Sequence, residues 1–281
     1  MKHHRVVMLF ILLCSPSLLI GITAFDGSAS DQSETSADMS SQWVKNCDDW
    51  AELVCNGSYI LSNNVWNKGS AKDYRQCIAL KHAERNCVYK WTWNWPDLGD
   101  GAVRAYPEVI FGRKPWMSYS TTPSLPIKVA DAGKIRASFK IEEYADDYDG
   151  VLNISFDIWI VSGPIPTPET ITREIMIWIK PNGHIPAPDK VKTVRIGGEV
   201  YDLYKADWDW TYLAFVKRTP MLKGKVPIGK LISYLANNGY LSPEEYVTSI
   251  ELGSELRYGH GYTILRDYSV DVPDTVRSIS K

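Results

Sequence analysis

Past Asn46 the chain repeatedly alternates apolar and polar residues with period 2, the mark of strands that bury one face. In "EIMIWI", Ile175, Ile177 and Ile179 share one face, and Glu174, Met176 and Trp178 share the other. "NISFDIWIV" repeats the design, with Phe156, Ile158 and Ile160 opposed to Ser155, Asp157 and Trp159. "SIELGSELRYG" sets Ile250 and Leu252 against Glu251, Gly253 and Glu255. "YKWTWNW" places Trp91, Trp93 and Trp95 on a single face, either a core stripe or a stacking platform. Asp149-Gly150, Asn182-Gly183 and Gly197-Gly198 separate such runs and read as hairpin loops, because primed turns need positive φ. One stretch departs from the pattern. Ile228, Leu231, Ile232 and Leu235 fall at helical spacing between Pro227 and Gly239, which predicts one amphipathic helix. The expected fold is an all-β antiparallel sandwich of the jelly-roll type with a concave cleft and a single helix. No repeat of fixed period is visible.

The non-core faces carry the chemistry. A solvated face would not choose Met176 and Trp178, and a second buried face would not choose Glu174. A cleft for something flat and hydroxylated suits all three. Taken singly, Glu174 also fits a strand-end carboxylate paired with Arg173 or a lysine, and Asp157 fits a structural hydrogen-bonding acid.

Composition adds 11 Trp and 16 Tyr, a supply of core or stacking rings. The net charge of −2 gives no basic footprint for nucleic acid. "MKHHR" followed by an apolar run to Ala24 reads as a cleaved secretory leader, residues 1–24. The alternative is a retained anchor, since the run is nearly long enough to span a bilayer. Residues 25–45 are polar, acidic and Ser-rich, a disordered linker ahead of a domain at 46–281. After leader removal four cysteines remain, Cys47, Cys55, Cys77 and Cys87, which in a secreted chain suggest two disulfides with three possible pairings. Asn56 and Asn153 head glycosylation sequons. The five histidines show no metal spacing, and no phosphate loop, dinucleotide fingerprint or nucleophile elbow is present, so no metal or cofactor is expected.

Together these residues resemble glycoside hydrolase family 12, compact β-jelly-roll endoglucanases that include xyloglucanases. "NCDDWAELVCNGSYILSNNVWN" is similar to the family's N-terminal cysteine, tryptophan and "NNxW" signature. "YPEVIFGRKPW" resembles its "YPE…G.KPW". "NISFDIWI" and "EIMIWI" resemble the strands of its auxiliary acid and nucleophile, and "LISYLANNGYLSPEEYVTSIELGSE" its helix and acid/base strand. The likeness runs over about residues 46 to 272. It implies Glu174 as nucleophile, Glu255 as general acid/base and Asp157 as an acid hydrogen-bonded to the nucleophile. It implies Asn64, Trp66, Met176 and Trp178 in the glucan cleft, and Trp93, Tyr106 and Trp210 complete the expected binding set. It also implies a Cys47–Cys77 disulfide, which leaves Cys55 with Cys87. The chain departs from the pattern at "GSELR", where many members read "GTEPF", and at "NGHIPAPDK", which borders the cleft. Glu251 shares a face with Glu255 and is its rival as the functional acid. The activity implied is that of a secreted, monomeric, retaining endo-β-1,4-glucanase acting on cellulose, β-glucan or xyloglucan. The alternatives are a xyloglucan-specific enzyme and a non-catalytic carbohydrate-binding sandwich.

Overall fold

Side chains that alternate between the two faces of each strand sort the chain into two stacked sheets. The computed structural model describes residues 42–83, 86–145, 150–182, 184–186 and 188–273. The leader, the linker up to residue 41, and the turn positions Asp149 and Gly183 lie outside the described residues. Among the described residues the strands are β1 (Val44–Asn46), β2 (Glu52–Cys55), β3 (Tyr59–Ser62), β4 (Arg75–His82), β5 (Cys87–Trp95), β6 (Glu108–Gly112), β7 (Ile127–Lys128) and β8 (Arg136–Ala145). They continue with β9 (Val151–Val161), β10 (Ile171–Pro181), β11 (Asp189–Ile196), β12 (Glu199–Asp207), β13 (Thr211–Lys217), β14 (Lys223–Val226), β15 (Tyr246–Leu256) and β16 (Gly259–Asp271). Strand structure thus begins at Val44, two residues ahead of the expected boundary.

One sheet has the order β1-β4-β5-β16-β8-β14 and the other β11-β12-β13-β10-β9-β15-β6-β3-β2, with β7 on β15. Pairing is antiparallel except between β10 and β13, which run parallel. The core lies between the sheets. Ile158, Ile160, Ile175, Ile177 and Ile179 reach it from the larger sheet, and Trp91, Phe139 and Leu265 from the smaller. Trp91 Nε1 donates to Ser254 Oγ at 3.1 Å, which links β5 to β15 across the sandwich. The helix α1 (Ile228–Asn237) buries Ile228, Leu231, Ile232 and Leu235, as its spacing requires.

Three expectations need correction. Of the three expected hairpin loops, Gly197-Gly198 closes a two-residue hairpin, with Ile196 opposite Glu199. The segment at Gly150 instead carries the chain from one sheet to the other, since β8 pairs with β16 and β14 while β9 pairs with β10 and β15. Gly150 is needed for space: a Cβ there would meet Tyr258 O at 1.7 Å. Likewise β10 is followed by β11 at the far edge of its sheet, not by a pairing partner. Trp93 joins Trp91 and Trp95 in the main core at 3% exposure, so it is a packing residue and not a binding one. The Asn153 sequon is closed, because that side chain is fully buried and donates to Glu255 Oε2. The disulfides Cys47–Cys77 and Cys55–Cys87 are both formed. The second ties β2, at the edge of the larger sheet, to β5 in the smaller one.

Candidate active site

The outer face of the larger sheet gathers the acids. On β9, Asn153, Ser155, Asp157 and Trp159 point outward by alternation. In register, Glu174 lies opposite Trp159 and Met176 opposite Asp157. From the other side, Glu251 lies opposite Asp157, Gly253 opposite Ser155 and Glu255 opposite Asn153. β9 is therefore the spine, with the Glu174 strand on one flank and the Glu255 strand on the other. Gly253 is required by crowding, as a Cβ would lie 2.5 Å from Pro107 O and 3.0 Å from the Tyr106 ring. That ring overlies the gap between Glu251 and Glu255, and its hydroxyl donates to Ser155 O at 2.8 Å.

The expected binding residues divide into floor and wall. Met176 and Trp178 belong to a second apolar cluster with Tyr204, Tyr212, Ala214 and Val216. Tyr212 OH donates to Met176 Sδ at 3.2 Å, and Trp178 Nε1 approaches the same sulfur at 3.5 Å. Trp178 is 2% exposed, so it builds the floor and offers no open ring for stacking, because β12 and β13 extend the sheet beyond β10 and cover it. Trp66, at 54%, is open. So are Trp116 and Trp208, which sequence reasoning did not select. Asn64 is buried and its Nδ2 donates to Glu108 Oε1 at 3.1 Å.

Glu174 accepts a hydrogen bond from Trp210 Nε1 at 2.8 Å. The expected donor was Asp157, whose Oδ1 is buried without a partner. Trp210 is held in turn by an edge-on contact with Trp159 at 5.3 Å, and Trp159 by one with Trp116 at 4.8 Å. Burial pushes the Glu174 carboxyl up to about 7, against the Trp210 donor, and the charges of Glu255 and Glu251 push the same way. Glu255 is likewise pushed up to about 7 by burial, against its Asn153 donor. Asp157 is raised well above the carboxylate range, by burial and then by the charge of Glu174. In a flat sheet three rows of register would put Glu174 and Glu255 roughly 20 Å apart along the strand. The charge of Glu255 nonetheless acts on Glu174, ahead of that of Glu251, and the twist of a sheet shortens such diagonals.

Several buried polar atoms on this side have no partner within the chain: Asn64 Oδ1, Asn153 Oδ1, Ser155 Oγ, Asp157 Oδ1 and Trp159 Nε1. Buried polar groups are normally satisfied, so a cluster of unmatched donors and acceptors marks a surface completed by a polar ligand or by water. Among the described residues no group of three or more His, Cys, Asp and Glu is arranged to hold a metal ion. Glu108 and Lys114 are charged groups of this site that sequence reasoning passed over. They stand in the quoted "YPEVIFGRKPW", but their partners are far away in the chain.

Known proteins resemble this chain in sequence and in fold. The model of glycosyl hydrolase family 12 matches residues 57–273. An endoglucanase S of Pectobacterium parmentieri is 27% identical over 77% of this chain and 83% of its own length. A probable xyloglucan-specific endo-β-1,4-glucanase A of Aspergillus terreus is 26% identical over 80% of this chain and 86% of its own. Among solved structures, a family 12 xyloglucanase from Bacillus licheniformis in complex with ligand superposes with a TM-score of 0.74 at 26% identity, covering 82% of this chain and all of that one. An endoglucanase from Rhodothermus marinus gives 0.69 at 28% identity, over 82% and 99% of the two chains. With its family model spanning most of the chain and these acids on the outer face of a two-sheet fold, the protein belongs to glycosyl hydrolase family 12 and is a glycoside hydrolase.

Proposed function

We propose that this glycoside hydrolase is a secreted endo-β-1,4-glucanase that retains anomeric configuration, with Glu174 as nucleophile and Glu255 as general acid/base. The observation that carries the reading is the pair itself. Two buried carboxyls from strands flanking β9 both sit near 7, and the charge of one acts on the other. Retention requires the charge on Glu174, and the Trp210 N–H and the positive charge of Lys114 favour its charged form. Glu255 keeps the remaining proton.

The reaction follows from that division. Glu174 attacks the anomeric carbon while Glu255 delivers its proton to the departing glycosidic oxygen. The ester at Glu174 carries no charge, so the repulsion that held the proton on Glu255 disappears. Glu255, now a carboxylate, takes a proton from water as that water attacks the ester carbon, which restores both acids. Indole faces at Trp66 and Trp208 suit the apolar faces of glucosyl units. The unmatched polar atoms of Asn64, Asn153, Ser155 and Asp157 suit their hydroxyls.

A xyloglucan-specific activity is the second reading, favoured by the likeness to the probable xyloglucan-specific Aspergillus relative and to the Bacillus xyloglucanase. One experiment addresses both: digestion of cellulose, mixed-linkage glucan and xyloglucan, with product length and first-formed anomer recorded. Internal cleavage with the β-anomer first is expected. The α-anomer first would overturn the nucleophile assignment. Cleavage of xyloglucan alone would select the second reading. Secretion is supported by the two disulfides, which form and persist in oxidising compartments. N-terminal sequencing of protein from culture medium tests it, with a start near residue 25 expected.

A further inference from the structure

Three ionisable side chains beside the acids make and break no bond in the hydrolysis. Lys114, two residues past the end of β6, places Nζ 2.6 Å from Glu108 Oε1 and 2.9 Å from Glu251 Oε2. Both carboxyls are almost wholly buried and the lysine nearly so. Each acid has a further tie: Asn64 donates to Glu108 Oε1 at 3.1 Å, and Ser249 Oγ donates to Glu251 Oε1 at 2.8 Å. Glu251 stands opposite Asp157 in the ladder, one row from the level of Glu174. A buried ion pair of this kind is weak as a stabilising device, since apolar residues of similar volume do as well or better. Its position next to the reacting acids gives it another use.

Charge accounting shows what that use is. Five carboxyls meet in this region: Glu108 on β6, Asp157 on β9, Glu174 on β10, and Glu251 and Glu255 on β15. The hydroxyls of Tyr106 and, from β13, Tyr212 also face them and are raised well above their ordinary range by burial. Glu108 and Asp157 are both pushed well above the carboxylate range, burial first. Burial alone would strip Lys114 of its proton, but Glu108 and Glu251 more than offset this and keep it charged. Lys114 and Glu251 form an ion pair at 2.9 Å. Its two ends act on Glu174 with opposite sign, the lysine favouring the carboxylate and Glu251 opposing it.

We infer that Lys114, clamped between Glu108 and Glu251, is a positioning residue for hydrolysis: it supplies the compensating positive charge beneath the acids that lets Glu174 be the anion that attacks. This rests on Glu174 being the nucleophile. Lys114 touches no reacting atom and acts only through the field it sets.

The test is the pH profile of kcat/KM for the full chain and four variants, with a melting temperature for each. Activity rises with pH as Glu174 ionises, so the acid limb reports its proton. Lys114→Met removes the favourable charge and should move that limb up by about half to one pH unit, a roughly three- to tenfold loss at a fixed acidic pH. Glu251→Gln removes the opposing charge and should move the limb down. Lys114→Met with Glu251→Gln removes both and should return it near the starting position. Lys114→Arg keeps the charge and should keep the limb. A purely structural role would lower the melting temperature and leave the limb in place, and that result overturns the inference. So does a limb shift in Lys114→Met that the second substitution fails to reverse. If Lys114→Met does not fold, an unmoved limb in Glu251→Gln is enough to overturn it. Glu174→Gln, assayed alongside, separates the two claims: activity surviving there sinks the nucleophile assignment, whereas an inert Glu174→Gln with an unmoved Lys114→Met limb sinks only the role of Lys114.

Discussion

The two faces of β9 and β10 are built from the same residues in alternation, and both are buried, yet they are finished differently. On the inner face Phe156, Ile158, Ile160, Ile175, Ile177 and Ile179 pack in the main apolar cluster and carry no side-chain polar atom to satisfy. On the outer face Ser155, Asp157 and Trp159 keep polar atoms without partners, and Glu174 and Asp157 are carboxyls that burial drives toward the neutral form. The inner face is complete in the free protein. The outer face is complete only when something polar occupies it. Stability is therefore concentrated on one side of a single layer of strands and reactivity on the other, about one side chain apart.

Substitutions that break this division should separate activity from stability. The largest effect is expected for Glu174→Gln, which keeps size and hydrogen-bonding capacity and removes the attacking group: kcat should fall by several orders of magnitude with an unchanged or higher melting temperature. Stopped assays on polymeric glucan and calorimetry measure the two. Next is Glu255→Gln, with kcat on polymer reduced by about 10²–10⁴. The loss should be smaller on an aryl glycoside whose leaving group needs no proton, and equal losses on both substrates would remove Glu255 from the acid role. On the inner face, Ile177→Ala should cost about 2–5 kcal/mol of unfolding free energy. It should leave kcat of the folded fraction within a few-fold, as read by denaturant titration beside kinetics.

The acids also predict a pH dependence of stability. Glu174 and Glu255 move from the ordinary 4.5 to about 7 on folding, so the folded chain binds more protons than the unfolded chain between those values. Their contribution is fully present below about pH 4.5 and is lost as pH rises to about 7. The melting temperature should decline across that window, and Glu174→Gln should make the decline shallower. The smallest effect is expected at the exposed wall. Trp66→Ala should raise KM on long glucans several-fold, about 1 kcal/mol, with little change in melting temperature. A collapse in thermal stability instead would assign Trp66 to packing.

Much of this division was legible in the sequence because it is local. Alternation placed Glu174 with Met176 and Trp178, Asp157 with Trp159, and Glu255 with Glu251, and helical spacing located α1. What alternation cannot say is which side of a sheet a shared face looks toward. Trp91, Trp93 and Trp95 do share a face, and it is the inner one. Nor does a glycine declare why it is there: Gly150 answers to the backbone of Tyr258, more than a hundred residues away, and so resembled a turn. The Lys114 clamp was invisible for the same reason, as Glu251 is 137 residues further along. Trp210 was expected to line the cleft, and its N–H also holds Glu174, a role that only the geometry supplies.

The sheet order has a consequence for how the enzyme is made. β15 is inserted between β9 and β6, elements synthesised roughly 90 and 140 residues earlier. Until it arrives, β9 and β6 each present an open edge in the middle of the future sheet, the kind of edge that pairs with other chains. Such distant pairing is slow to form. It also carries Glu255, so the second carboxyl joins the first only at the last stage of assembly. A chain still being synthesised, or cut short before Tyr246, has the Glu174 strand but no means of using it. Recovery of hydrolysis during refolding is accordingly a clock for the final closure of the sheet, and chains stalled before that step should be lost to aggregation before they ever become partly active.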